Sequence, residues 1–488
     1  MLLVALSLLA HAEPWDDPAA STVADEVRAQ SIDHFLGAAP VDYFDYARRY
    51  PALAPGSDLL APEQAFLADG GRARWVVRGR VGVDAGTLDP VNAGGRDAPG
   101  ITTGTVAVDG RLYAGPLVVV VRPAVQGAVA PGSASVYAEE LWAAVGSRGA
   151  QAGFGARPRW YGPAHHSTLT LSDNASPPWM GWIAGEGRWK GKAAVLGRFR
   201  AELDVGVLDR PRTDVVRPGF LALDLRWLPW TCVEIGATRM SVFGGVDRPP
   251  VDIGQLLLPT EPHVYDDPDL SEADQNELAA LDFRVTFPLR RWWGLPVDSL
   301  EGWWQYGGED VIGRKSGGIP YPSLAGVANI YGAAVAVGPV RVELEYARLM
   351  DDYFRWYIGH RVYHEGFTQA GRPMGQFGGT DSENLWGAVR WEGDGLRLRV
   401  SAERLRRVNV IEALNDKLFA FSTDEEHVRV GVAGGRALPR SGWVDAEVEV
   451  DAVRGVDFVP DTSRVAWRAS VTVTPGAWSG SFGGRDRP

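Results

Sequence analysis

Two adjacent histidines, in Trp160-Tyr161-Gly162-Pro163-Ala164-His165-His166-Ser167, are the residues best suited to chemistry, with Asp173 and Asn174 close behind in Leu171-Ser172-Asp173-Asn174-Ala175. A His/Ser/Asp set could serve a hydrolase or hold a metal. Against the metal, neighbouring histidines on a strand point to opposite faces, and no third and fourth ligand follows at the usual spacing. Against the hydrolase, no Gly-x-Ser-x-Gly elbow surrounds Ser167. Aromatic rings mixed with amides and carboxylates suit a sugar better, since a sugar offers C–H faces for stacking and hydroxyls for hydrogen bonds. The plainer reading makes Trp160 and Tyr161 packing residues and Asn174 a turn support.

A second group is Trp303-Trp304-Gln305-Tyr306-Gly307-Gly308-Glu309-Asp310. Adjacent carboxylates project apart, whereas glycoside hydrolysis needs two that flank one bond, so pairing with strand arginines is expected. A third group runs from Tyr353 through Tyr357, His360, Tyr363, His364 and Glu365 to Arg372, Met374 and Asp381. Its glycines lack the Lys-Ser/Thr and the following helix of a phosphate loop, so a long inter-strand loop is expected. The acidic stretch Tyr265–Glu277 lacks the central glycine of a calcium loop and reads as a solvated loop with a short helix capped by Ser271. The single cysteine, Cys232, excludes an intramolecular disulfide and reads as an apolar filler. No cofactor and no metal site are expected.

The elements that must position these groups are strands. Period-two alternation dominates from Arg72 onward. Phe199, Ala201, Leu203, Val205 and Val207 oppose Arg198, Arg200, Glu202 and Asp204. Val342, Leu344 and Tyr346 oppose Arg341, Glu343 and Glu345, and Val444, Ala446, Val448 and Val450 alternate with Asp445, Glu447, Glu449 and Asp451. Segments of about ten such residues, with aromatics such as Trp227, Trp230, Trp292 and Trp293 near their ends, fit strands tilted across a membrane. Soluble sandwiches alternate too, but a propeller would show a repeat of roughly 40–50 residues, and none is present. The reading is all-β: a large transmembrane antiparallel barrel over 71–475.

Residues 1–12 form an apolar run ending in Ala10-His11-Ala12, which reads as a secretory signal cleaved before Glu13. Residues 13–70 read as a small helical element, with helices at Val23–Leu36, Val41–Tyr50 and Pro62–Ala68. The net charge of −12, from 49 basic and 61 acidic residues well interspersed, argues against nucleic acid as a partner.

Taken together, the motifs resemble the Wzi family of outer-membrane capsule assembly proteins. The resemblance rests on Gly149–Gly153, Trp160–Pro163, Leu171–Ala175, Tyr306–Asp310, Tyr363–Phe367, Gly371–Gly375 and Gly379–Asp381, in that order. It implies a single-chain barrel of roughly eighteen strands, with residues 13–70 on the periplasmic side. It implies a non-enzymatic, lectin-like protein that attaches capsular or related exopolysaccharide to the cell surface. A diffusion channel for small solutes and an outer-membrane hydrolase using His165 or Asp173 are the alternatives. Expected partners are outer-membrane lipid, the polysaccharide and the barrel assembly machinery, with the chain a monomer. The candidate glycan contacts are Trp160, Tyr161, His165, Asp173, Asn174, Trp304, Tyr306, Glu309, Asp310, Tyr363, His364, Arg372 and Asp381. Family barrels tend to end on an aromatic in the last strand, whereas this chain runs past Pro475, so 476–488 is set apart as a tail.

Overall fold

The structure, a computed structural model, describes Ala38 and Ala39 and most of residues 73–481; the longer stretches outside it are 89–101, 129–133, 250–274, 351–355 and 409–423. The expected signal, the three N-terminal helices and nearly all of the acidic stretch therefore lie outside the described residues.

The alternating segments form one closed antiparallel barrel of eighteen strands. They are β1 (Arg74–Gly86), β2 (Thr103–Ala114), β3 (Leu117–Ala128), β4 (Ala134–Ser147), β5 (Ala150–Ala156), β6 (Trp179–Arg188), β7 (Arg198–Val207), β8 (Gly219–Trp230) and β9 (Val233–Phe243). The second half comprises β10 (Asn276–Phe287), β11 (Ser299–Gly308), β12 (Ala328–Val337), β13 (Val340–Leu349), β14 (Ser382–Gly393), β15 (Leu396–Arg407), β16 (Glu425–Leu438), β17 (Gly442–Arg454) and β18 (Ser463–Thr474). Closure satisfies every edge strand, which a sheet in hydrocarbon requires because lipid offers no hydrogen bonds.

The seam lies between β1 and β18. Val81 to Gly86 pair with Val473 to Arg468. Beyond Pro475 the chain resumes pairing, Trp478–Ser481 against Val77–Arg74, displaced by one residue. The displacement is a bulge where proline supplies no backbone donor. The barrel thus extends past the 475 boundary read from the sequence, and part of the tail completes the last strand.

Connections alternate in length. Ala114 and Leu117, Val337 and Val340, and Gly393 and Leu396 are joined by pairs of residues, at the end where Arg74 and Ser481 lie. The opposite end carries the longer connections, including 157–178, 244–275 and 350–381. Short turns mark the periplasmic side of outer-membrane barrels, and long loops the outside.

The faces sort as the alternation predicts. Leu225, Leu281, Leu344, Val400 and Val448 are exposed outward, toward lipid. Inward lie ion pairs: Arg226 to Asp224 (2.7 Å) and Asp282 (2.6 Å), and Arg341 to Glu301 and Glu343 (both 2.7 Å). The inner face is graded, however. On β8 the inward row runs Phe220, Ala222, Asp224, Arg226, and on β10 Leu278, Ala280, Asp282, Arg284, all buried. The interior is charged in its lower part and apolar under the long loops. That apolar collar, with Met240, Ile330 and Leu349, packs against residues from the loops themselves.

Candidate functional site

The segment 157–178 between β5 and β6 turns into the lumen instead of standing above it. Residues 155–175 are buried except for the half-buried Pro158. Its first anchor is on β7, where Arg159 contacts Asp204 at 2.6 Å and Glu202 at 3.2 Å. Tyr161 donates its hydroxyl to Asp204 as well. The backbone of Trp160-Tyr161 pairs with Ala38-Ala39.

The tip of the segment meets an acidic wall across the barrel. The His165 and His166 backbone N–H groups donate to Glu345 at 2.9 and 3.2 Å, and the Ser167 hydroxyl donates to it at 2.6 Å. The His165 ring lies 2.9 Å from Glu343 through Nδ1 and is tilted over Trp303 at 4.0 Å between ring centres. His166 stacks on Trp386 at 4.5 Å and reaches Glu403 of β15 at 3.3 Å through Nε2. β15 stands nine strands from β6 (15 − 6) in a ring of eighteen, which is diametrically opposite. The segment therefore spans the lumen. A return path follows: Leu169 N–H donates to Gln305 at 2.8 Å, and Thr170 Oγ1 to the Tyr161 carbonyl at 2.7 Å. Between this segment and the wall, lined by Arg157, Arg159, Leu171, Met180 and Met374, the cavity measures about 10 Å³, room for one water.

The third sequence group lies over this plug. Tyr357 donates its hydroxyl to the Leu169 carbonyl (2.9 Å) and accepts from the Gln376 N–H (2.8 Å), tying the two loops together. Burial pushes its hydroxyl above the ordinary tyrosine range, so it remains a donor at neutral pH. Ser172 bonds to the Met374 and Gly375 carbonyls (2.6 Å each), and Asn174 Nδ2 to the Pro373 carbonyl at 3.0 Å. Arg212 and Asp214, between β7 and β8, lock the 350–381 loop. Arg212 makes a two-toothed contact with Asp214, 2.9 Å each, and donates to the Gly366 and Thr368 carbonyls at 3.1 and 2.9 Å. Asp214 also accepts from the Glu365 N–H at 2.8 Å. Burial raises the Asp214 carboxyl, but the Arg212 hydrogen bonds and the Val215 and Glu365 N–H groups outweigh it and hold the group below its usual value. Gly366 takes a positive φ of 49°, and a side chain there would run into the Tyr357 carbonyl.

Twelve of the thirteen candidates separate into three sets. Trp160, Tyr161, His165, Asp173, Asn174, Tyr363, Glu309 and Asp381 are buried. Most of their known contacts are internal: Trp160 Nε1 donates to the Ala164 carbonyl at 3.2 Å, and the Tyr363 hydroxyl to the Gly244 carbonyl at 3.0 Å. Trp304 and Tyr306 sit on the outward face of β11, where Trp304 stacks on Tyr331 and bonds to Asn329 at 3.1 Å. Strand parity puts them on the lipid side, at the upper aromatic girdle. His364 is exposed and Arg372 half-buried, both on the outer surface of the folded loops. The Asp310 side chain lies outside the described residues. The anchors Arg159, Glu202, Asp204, Glu345, Gln305 and Tyr357 were not among the candidates. Glu345 and Asp204 were legible as inward-facing, but no spacing paired them with a loop so distant in sequence.

A family model described as capsule assembly protein Wzi matches residues 76–459. The chain belongs to the Wzi capsule assembly family. Among solved structures, Wzi of Escherichia coli, described as an outer-membrane protein involved in group 1 capsule assembly and a carbohydrate-binding β-barrel, superposes with a TM-score of 0.66 at 18% identity, covering 93% of this chain and 98% of that one. OprD of Pseudomonas aeruginosa (TM-score 0.47, 9% identity, 85% and 96% covered) and OccAB2 of Acinetobacter baumannii (0.48, 8%, 84% and 98%) are similar at a greater distance. No curated protein matches. This Wzi family member is an outer-membrane β-barrel, as the alternation predicted.

Proposed function

We propose that this Wzi family barrel binds capsular or related exopolysaccharide on its outer surface and holds it there, as a lectin-like protein without catalysis. The observation that carries the reading is the plug: a family barrel tied to capsule assembly is closed across its lumen by a loop anchored on both walls. A closed lumen suits a scaffold and works against the diffusion channel. The folded loops instead offer a fixed outer surface, where His364, Arg372, Thr213 and Glu365 present imidazole, guanidinium, hydroxyl and carboxylate groups of the kind that bind sugar hydroxyls and uronic acids. The eight buried candidates support that surface from beneath.

His165 is held between Glu343 and Trp303, so it acts in this reading as a plug residue and not as a general base. The protein inserts through the barrel assembly machinery and works as a monomer. The test is retention of purified, size-fractionated capsular polysaccharide by the immobilised barrel, beside surface attachment in a deletion strain. Wild type retains polymer, His364→Ala with Arg372→Ala retains several-fold less, and the deletion strain secretes polymer that is not held. Absence of retention by wild type refutes the reading, and glycan turnover lost in His165→Ala would replace it with the hydrolase.

A further inference from the structure

Two periplasmic-side turns differ from the others. Most are pairs of residues, but 189–197 between β6 and β7 carries a short 3₁₀ turn, Gly191–Leu196, and 288–298 between β10 and β11 a single helical turn, Leu289–Trp293. They flank the β8–β9 turn, so they share one sector of the rim.

Both are folded against the lipid-facing side. Trp189 packs on the outward Phe199 at 5.3 Å, and the outward Trp227 donates its indole N–H to the Leu196 carbonyl at 2.6 Å. Gly197, at a φ of +74°, lies so close to the β8 backbone that a side chain would meet the Leu228 carbonyl. In the other turn Trp292 meets the outward Phe287 edge-on at 6.2 Å. Trp189, Val195, Trp230 and Trp293 remain 45%, 73%, 64% and 63% exposed. Such rings settle at the depth where acyl chains meet headgroups.

The charges in the two turns are nearly all of one sign. From Arg188 to Asp298 the two turns carry Arg188, Lys190, Lys192, Arg290 and Arg291, all exposed, and one carboxylate, Asp298, engaged by Arg290 at 2.7 Å. This stands out in a chain of net charge −12. The chain holds four lysines in all, and two of them are in the first turn. Lys190 and Lys192 have no ion-pair partner among the described residues. Lysine is a compact charge on a flexible apolar stem, which lets it reach a phosphate from the acyl boundary.

We propose that this sector is a binding site for anionic glycerophospholipid of the periplasmic leaflet, the aromatic side chains holding the acyl boundary and Lys190, Lys192 and Arg291 the phosphodiester headgroup. The site is independent of the glycan reading. It gives the barrel one lipid-selective side, in contrast to the tight turns elsewhere on the same rim.

The test uses the full-length barrel, delipidated and then equilibrated with an equimolar mixture of dioleoyl phosphatidylglycerol and dioleoyl phosphatidylcholine, with retained lipids counted by native mass spectrometry. Wild type retains phosphatidylglycerol in preference. The exposed positions allow Lys190→Gln, Lys192→Gln and Arg291→Gln to fold normally, verified by unchanged heat-modifiable mobility, and each lowers the preference by about fivefold. Arg217→Gln, exposed at the long-loop end, leaves it unchanged. A wild type without preference, or equal loss in Arg217→Gln, overturns the site. A preference that survives the triple neutralisation also overturns it, and is the result expected if these turns dock a protein instead.

Discussion

Replacing Glu345 by alanine tests whether the plug closes the barrel. This one carboxylate accepts three hydrogen bonds from the tip of the loop: the His165 N–H at 2.9 Å, the His166 N–H at 3.2 Å and the Ser167 hydroxyl at 2.6 Å. A hydrogen bond to a charged group contributes roughly 1.5–3 kcal/mol. The three do not add in full, because two share one oxygen and the freed N–H groups regain water if the tip lifts. Even about 3 kcal/mol for the set lowers the ratio of seated to lifted tips by about a hundredfold, at 1.4 kcal/mol per decade. The barrel itself is untouched, since β13 keeps its backbone ladder with β12 and β14. His165 to Glu343 and His166 to Glu403 still hold the tip laterally, so the loop fluctuates rather than leaving.

Single-channel recording in planar bilayers reads this directly. Wild type is silent or nearly so, Ser167→Ala opens rarely because it removes one bond of three, and Glu345→Ala opens often. Glu345→Gln lies between, because its amide oxygen accepts from one side only. Traces for Glu345→Ala as silent as wild type, with the same heat-modification midpoint, would refute the claim that the tip contacts keep the lumen shut.

Three further outcomes follow from the same contacts. Tyr357→Phe leaves the Leu169 carbonyl and the Gln376 N–H buried without their partner, so it destabilises the loop pair by about 1–3 kcal/mol, visible as faster hydrogen exchange in 166–172 and 374–378 with the barrel strands unaffected. Asp214 has a depressed folded-state value, so its contribution is complete above the ordinary carboxylate value near 4 and is lost as pH falls below that toward the folded value; limited proteolysis around Glu365 should accelerate only in that acid window, and Asp214→Asn should be cleaved quickly at every pH. Trp304→Ala removes an outward ring, so polysaccharide retention should match wild type while the barrel's heat-modification midpoint falls; a loss of retention would mean the upper girdle belongs to the glycan surface.

The barrel was legible because its cause is local. Alternation such as Phe199 to Val207 against Arg198 to Asp204 depends only on neighbours in the chain, and a strand of known parity tells which side meets lipid. Parity also divides a single motif: Trp304 and Tyr306 adjoin Gln305 in the chain, but only Gln305 faces the lumen, where it holds Leu169. Which loop fills the lumen was not legible, because the contacts that seat it are remote. His165 meets Glu343 across 178 positions and His166 meets Glu403 across 237, and nothing in the spacing of either partner encodes that distance. A signal was present nonetheless. The inner rows of β8 and β10 switch from charged to apolar within a single strand, Arg226 and Asp224 giving way to Ala222 and Phe220. In an open, water-filled barrel an apolar inner collar would be wetted at a cost of about 25 cal/mol per Å². Such a collar is stable only if something apolar fills it. The two candidate groups around Leu169 to Leu171 and Tyr357 to Phe367 supply buried apolar residues of that kind. Read for gradient along a strand as well as for alternation across it, the inner face announces a plugged barrel, and thereby moves the search for a glycan site from the lumen to the outer surface of the loops.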